Sequence, residues 1–211
     1  MTQPPHIIIT GASGLVGGLL AVRLKDQNLT AIGRRTVPGI ADQRIAPVAE
    51  WPALVATLAP DVAISTLGTT FRVAGFEDAF AAIDHDAVVA FARAARDAGA
   101  RQFIMVSSVG AGGASFYLKT KGRAEASVRA MDFGRVDIFR PGLLLGKRAG
   151  EARPVERLFA ALGPLTNALT PRAFDHYRAI AADGVAMAMA RVIGAREDGV
   201  FLHHNRDMLR A

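Results

Sequence analysis

The chain has no cysteine among its 211 residues. Neither disulfides nor thiolate chemistry is open to it, and the expected compartment is a reducing one, the cytoplasm. It also lacks a secretory leader. Met1-Thr2-Gln3-Pro4-Pro5 carries no basic side chain, and the apolar run behind it is too short for a signal peptide or a membrane span. The reading is a soluble protein with no membrane partner. No internal repeat or low-complexity tract interrupts the sequence, and 51% of its residues are apolar, enough for a substantial core in one domain, 1–211. A separate substrate domain has no room.

Arginine is abundant. Lysine and arginine total 25 against 19 acidic residues, a net charge of +6. The cations are scattered, apart from Arg34-Arg35 and Lys147-Arg148. No nucleic-acid motif or interleaved aromatic stripe accompanies them, so the charge reads as a solvated surface and no nucleic-acid partner is expected.

The most informative segment is Thr10-Gly11-Ala12-Ser13-Gly14-Leu15-Val16-Gly17. It joins a β-branched strand, residues 6–10, to a stretch with apolar residues at helical spacing, residues 15–25. In that context Gly11 permits a tight turn, Gly14 lets backbone approach a pyrophosphate, and Gly17 lets the helix pack close to the sheet. The N–H groups at the helix start then hold the phosphate. A second strand, 29–33, is followed by Arg34-Arg35 where an NAD site places an acidic residue on the ribose 2′-hydroxyl. Guanidinium groups suit a 2′-phosphate instead, so NADP(H) is expected over NAD(H). The bland alternative is a pair of solvated loop arginines.

Strands and helices alternate along the chain, the pattern of a doubly wound parallel sheet. A short strand is expected over 44–48 and a helix over 51–59, stopped by Pro60. A strand over 61–67 ends at Gly68-Thr69-Thr70, and a long alanine-rich helix over 77–98 stops at Gly99. Strand 102–108, helix 116–131 and strand 136–140 follow, the last broken by Pro141-Gly142. The tail reads as a helix around 154–162, a Pro- and Thr-rich loop, a helix over 183–193 and an apolar piece over 200–203. The nucleotide half is about 1–100 and the catalytic and substrate half about 101–211.

Ser108, Tyr117 and Lys121 form a second constellation. Tyr117 and Lys121 are four apart, on one face of a helix, and Ser108 closes the preceding strand at the rim where ligands bind in open α/β sheets. A free tyrosine, with a pKa near ~10, is a poor proton donor at neutral pH. A neighbouring ammonium favours the phenolate, and Ser108 would orient the substrate oxygen. A Tyr-x-x-x-Lys pair also arises by chance as a surface contact.

Together, the glycine turn, Ser107-Ser108, Tyr117-x-x-x-Lys121 and Arg140-Pro141-Gly142 resemble a compact, atypical short-chain dehydrogenase/reductase, and the match spans most of the chain. Ile-Gly-Arg-Arg at 32–35, Leu-Gly-Thr-Thr at 67–70, the run 116–125 and Phe-Arg-Pro-Gly-Leu-Leu-Leu at 139–145 are similar to the Tat-interacting-protein oxidoreductases and their bacterial relatives. The resemblance implies a single Rossmann domain with a short C-terminal extension, and NADPH as cofactor. It places Gly11, Ser13, Gly14, Leu15, Val16, Arg34, Arg35, Leu67, Gly68 and Thr69 along the cofactor. Lys121 would also hold the nicotinamide ribose, with Pro141, Leu143 and Leu144 beside the nicotinamide.

The chain departs from the superfamily pattern in three places, one of them the interval from Ser108 to Tyr117, which is shorter than usual. No asparagine lies in the 77–98 helix to support a proton relay; Asp84 and His85 stand there, as relay partners or exposed helix residues. No acidic residue directly follows the third strand to contact adenine; Val48-Ala49-Glu50 is found instead, leaving packing or Glu50 for that task. Phe71, Phe76 and Phe80 read as a pocket roof or as core, and residues 175–178 as a closing segment. His203-His204 lacks a further Cys/His cluster, so it reads as structural and no metal site is expected.

The function expected is hydride transfer between NADP(H) and a small carbonyl/alcohol substrate. An NADPH-binding regulatory or assembly protein with little turnover is the rival, and a nucleotide-sugar epimerase or dehydratase a third option. The oligomeric state stays open between monomer and homodimer.

Overall fold

The computed structural model describes residues 3–146 and 178–210. The expected helix at 154–162, Lys147-Arg148 and residues 175–177 lie outside the described residues. Strand β1 (Ile7–Thr10) is buried on both faces, as its unbroken apolar run requires of a central parallel strand. Helix α1 (Leu15–Arg23) leads to β2 (Leu29–Gly33), and β3 (Asp42–Ile45) pairs beside β2 at the sheet edge. Helix α2 (Trp51–Ala56) precedes β4 (Val62–Ser65). A short α3 (Phe71–Ala74) and α4 (Glu77–Ala81) pass through a π turn, Ala82–Ala87, into α5 (Val88–Asp97). Then come β5 (Gln102–Val106), α6 (Phe116–Arg129), β6 (Arg135–Arg140) and β7 (Leu144–Leu145). The chain closes with β8 (Ile180–Ala181), α7 (Ala182–Val192), β9 (Gly199–His204) and α8 (Asn205–Leu209).

Seven strands form one parallel sheet in the order β3-β2-β1-β4-β5-β6-β9, and β7 pairs with β8 in a small second sheet. The alternation within β1 assigns the two cores. Ile7 and Ile9 pack with Leu20, Ile104, Val185 and Met189 on the α1/α7 face. Ile8 packs with Val55, Phe91, Phe103 and Val128 on the α2/α5/α6 face. Between β1 and β4 the strand order reverses, the switch point at whose carboxyl-end crevice open α/β sheets bind ligands.

The doubly wound fold is as expected, with local differences. The expected 77–98 helix contains the π turn. The expected strand 102–108 stops at Val106, leaving Ser107 and Ser108 in the rim loop. The expected strand 44–48 forms earlier, because Asp42, Gln43, Arg44 and Ile45 are the residues that pair with β2.

A buried carboxylate ties together the amino-terminal part of the sheet's far edge. Asp137 is fully buried. It accepts from Gln102 Nε2 at 2.7 Å and from Arg135 Nε and Nη2 at 2.7 and 2.8 Å, while His203 Nε2 lies 2.8 Å from its second oxygen. Arg135 also covers the Phe201 ring at 3.8 Å, and His203 stacks on Phe139 at 4.3 Å. His203 is therefore part of this scaffold, and His204 caps α8 with Asp207. Burial alone would raise the Asp137 pKa, but the bonds from His203, Arg135 and Gln102 and the Arg135 charge outweigh it and hold it below the usual carboxylate value.

Asp137→Asn should therefore destabilise the fold by about 3–5 kcal/mol, because it strands the buried Arg135 charge. The native pKa is depressed, so the carboxylate's stabilisation is full above the unfolded carboxylate value, about 4, and is lost as pH falls from there toward the lowered native value. Thermal unfolding followed from neutral to acid pH should show a steeper acid loss in the wild type than in Asp137→Asn.

Candidate functional site

The glycine turn is shaped by contact with the loop that follows β4. Gly11 has φ +82°, and a Cβ there would stand 2.6 Å from the Thr66 backbone. At Gly17 a Cβ would stand 2.3 Å from both Gly11 O and Thr66 Oγ1. These two positions exclude any side chain. Gly14 differs, since its added Cβ would meet only Gly11 O, at 3.1 Å. It is the N-cap of α1, with no side-chain cap and no acidic residue in the first turn. Among the described residues the leading N–H groups of α1 have no side-chain acceptor, and the positive end of its dipole faces the rim. Ser13 is exposed, Val16 is buried, and Leu15 packs toward Gly146 from the β6 side, 3.0 Å from where a Cβ would sit.

Beside this turn, Gly11, Ser13, Gly33, Arg35, Val37 and Gln43 line a narrow cleft with no acidic residue in its wall. Arg34 and Arg35 are both exposed, and among the described residues neither forms an ion pair. Gln43 escaped the sequence reading. Its amide accepts from Val37 N–H at 2.7 Å and donates to Ile40 O at 2.7 Å and Val37 O at 3.0 Å, pinning the loop behind the arginines. Glu50, exposed in the Val48–Glu50 turn, does not line the cleft.

On the other side of the switch point, Lys121 is 4% exposed and its ammonium lies 2.7 Å from Asp84 Oδ1. Asp84 is fully buried, and its Oδ2 accepts from Thr69 N–H at 2.8 Å. Gly68 lies over the pair: a Cβ on it would be 3.6 Å from Lys121 Nζ and 3.7 Å from Asp84 Oδ1. Of the two roles open to Asp84, an exposed helix position is excluded. His85 turns elsewhere, to Asp86 at 2.7 Å and toward Ser127.

Tyr117, one turn before Lys121, is half-buried with its ring 5.5 Å from that of Phe80. Phe80 is fully buried, whereas Phe76 is 65% exposed. Ser108 Oγ donates to Val109 O at 3.2 Å, its one hydrogen bond among the described residues. Ser107 is the committed serine: it donates to the buried Glu125 at 2.6 Å, and Arg140 Nε donates to the same carboxylate at 2.9 Å. That bond raises the Arg140 pKa further, against the effect of burial. Val109 N–H donates to Pro141 O at 3.0 Å, joining the loops after β5 and β6. Pro141 is buried, Leu144 half-buried and Leu143 53% exposed.

The structure thus joins Gly68, Thr69, Asp84 and Lys121 directly, and sets Leu67 in the same loop. It joins Gly11, Ser13 and Arg35 in one cleft. Among the described residues no hydrogen bond links Ser108 to Tyr117. Among the described residues no helix is long and apolar enough to cross a membrane.

A family model described as the NAD dependent epimerase/dehydratase family matches residues 7–125. Protein FMP52, mitochondrial, from Debaryomyces hansenii is 34% identical over 183 residues, 80% of this chain and 79% of the relative. The fold is similar to MoeE5 solved in complex with UDP-glucuronic acid and NAD, with TM-score 0.73 and 18% identity over 93% of this chain and 74% of that one. It is also similar to the Helicobacter pylori ADP-L-glycero-D-manno-heptose-6-epimerase, with TM-score 0.71 and 16% identity over 96% and 77%. The cytoplasmic expectation is corrected by the relative's mitochondrial name. Absence of cysteine excludes disulfides and does not single out the cytoplasm. The matched span holds the glycine turn, the Gly68 loop, Asp84, Tyr117 and Lys121, and the chain belongs to the NAD dependent epimerase/dehydratase family.

Proposed function

We propose that this protein binds NADP(H) and moves hydride between the nicotinamide and a small carbonyl/alcohol substrate, with Ser108, Tyr117 and Lys121 at the chemical centre. The observation that carries the reading is the approach of Gly68 to Lys121. It brings the Tyr-x-x-x-Lys helix and the β4 loop to the same rim as the uncapped start of α1. The residues fit a dinucleotide. Gly11 and Gly17 make a turn no side chain can enter, α1 offers free N–H groups to a pyrophosphate, and Arg35 lines an acid-free cleft suited to a 2′-phosphate. Gly14, Leu15 and Val16 would border the pyrophosphate, and Pro141, Leu143 and Leu144 the nicotinamide. The motif likeness to Tat-interacting-protein oxidoreductases favours NADPH as well.

When bound, the nicotinamide supplies the hydride-exchanging carbon. Tyr117 gives its phenolic proton to the substrate oxygen during reduction and recovers it during oxidation. Ser108, whose hydroxyl has only a long bond to a neighbouring carbonyl, can turn to hold that oxygen. Lys121 presents its ammonium to the ribose from a site fixed by Asp84. A second reading, epimerase or dehydratase action on a nucleotide sugar, is supported by the family and by the UDP-glucuronic acid bound to MoeE5.

Three measurements test this. Calorimetric titration should show NADPH binding at least about tenfold tighter than NADH, with the preference removed by Arg34→Ala/Arg35→Ala, a loss of roughly 1.5–3 kcal/mol. Equal affinities unchanged by the double substitution refute the NADP(H) assignment. Gly14→Val should abolish cofactor binding with the far-UV dichroism unchanged, whereas Gly17→Ala should lower the melting temperature, because its methyl meets Gly11 O and Thr66. A folded Gly14→Val protein that binds NADPH normally places the dinucleotide elsewhere.

Tyr117→Phe keeps the ring on Phe80 and should retain NADPH affinity while slowing turnover about 10²–10⁴-fold. The substrate comes from a screen of aldehydes, ketones, quinones and UDP-sugars with NADPH or NAD. Wild-type turnover by Tyr117→Phe removes the tyrosine from the mechanism. Tight NADPH binding with no substrate in the screen favours a regulatory role, and turnover of UDP-sugars alone the second reading.

A further inference from the structure

Positions 80, 84 and 88 repeat at four through the π turn Ala82–Ala87, and all three are at most 2% exposed. A π turn is wider than the 3.6 residues of an α-helix, so the turn keeps Asp84 directed inward between Phe80 and Val88. A carboxylate without solvent must be satisfied by its surroundings, and Asp84 has two partners from two different elements. Lys121 comes from α6, and the Thr69 N–H from the loop after β4. Gly68 lies next to the pair: a Cβ on it would make ordinary van der Waals contact with Lys121 Nζ and Asp84 Oδ1, at 3.6 and 3.7 Å.

We propose that Asp84 is a positioning residue that clamps loop 66–70 onto Lys121 and so fixes where the ammonium stands at the rim. The clamp works in both directions. Without the carboxylate Lys121 is a buried, unpaired cation that must move toward water, and Thr69 N–H loses its acceptor. Without the ammonium the carboxylate is buried and unpaired, and it releases the loop. Removing both charges together leaves neither penalty, as expected of buried ion pairs. The placement of the ammonium toward a ribose rests on the function proposed above; the clamp itself rests on the geometry.

The test is hydrogen–deuterium exchange of the peptide covering 66–70, without cofactor, in wild type, Asp84→Asn, Asp84→Ala, Lys121→Met and Asp84→Asn/Lys121→Met. NADPH affinity is measured alongside. Asp84→Ala and Lys121→Met should exchange at 66–70 about tenfold or more faster than wild type, while exchange in β1 and β5 stays protected. Asp84→Asn, which keeps an oxygen for Thr69, should fall between. The double variant should recover most of the wild-type protection, which a merely space-filling aspartate would not bring about. NADPH affinity should fall at least about fivefold in Asp84→Ala, and Asp84→Asn should change it no further once Lys121 is Met. Wild-type exchange at 66–70 in folded Asp84→Ala overturns the clamp, as does a double variant no better protected than the singles. If the exchange pattern appears and wild type binds neither NADPH nor NADH, the clamp stands and the cofactor reading fails.

Discussion

The contact on which the site depends is steric: Gly11 and Gly17 press against Thr66 closely enough that no Cβ fits at either glycine. Because α1 and the loop after β4 touch there, the start of α1 and the Gly68 segment stand on either side of one crevice. Thr66 itself is anchored to Thr10 O through both its N–H and its hydroxyl, at 3.0 and 2.9 Å. A methyl at either glycine would push α1 outward or β4's loop away, and both walls would shift together. Packing density in a protein interior leaves no slack to absorb such a shift locally.

Three buried carboxylates extend that order beyond the glycine turn. Asp137 ties the edge strands together, Glu125 ties α6 to Ser107 and Arg140, and Asp84 ties α6 to the β4 loop. Buried ion pairs add little net stability relative to apolar packing, yet breaking one partner is costly. Their consequence here is geometric. Each carboxylate accepts from donors on more than one segment, so each registers those segments against one another to within a hydrogen-bond length. Lys121 and Ser107 are both fixed in this way. Ser108 and Tyr117 have no such anchor among the described residues.

The doubly wound parallel sheet and the glycine turn were legible in the sequence because each depends on local pattern. A β-branched run, three spaced glycines and an apolar helix face are readable without tertiary knowledge. Tyr117 and Lys121 were legible for the same reason, four apart on one helix. Asp84 was not. A polar residue in an alanine-rich helix has the same local pattern whether it faces solvent or core, and the π turn that keeps it inward leaves no mark in the period. Its partner is 37 positions away, at Lys121, and only the fold brings the two together. Gln43 and Glu125 escaped notice likewise, since each acts through contacts with other segments. The strand over 102–108 ran two residues too long, through Ser107 and Ser108, because nothing in the local pattern marks Val106 as the last residue paired with β6.

Arginine abundance makes the cofactor reading turn on position rather than number. Arg23, Arg44, Arg96, Arg101, Arg135 and Arg140 each have a carboxylate partner. Those pairs account for their charge within the protein. Arg34 and Arg35 have none among the described residues, and Arg35 lines a cleft with no acidic residue in its wall. Exposure alone is compatible with solvated side chains, as it is for other surface arginines. The added feature is the cleft that Arg35 borders, with the start of α1 on the same side and Gln43 holding the loop behind the arginines in one shape. A guanidinium held over a preformed groove loses less entropy on meeting a phosphate than one on a free loop. Under the proposed NADP(H) reading, Gln43 would support the arginines by ordering residues 37–40 beside them.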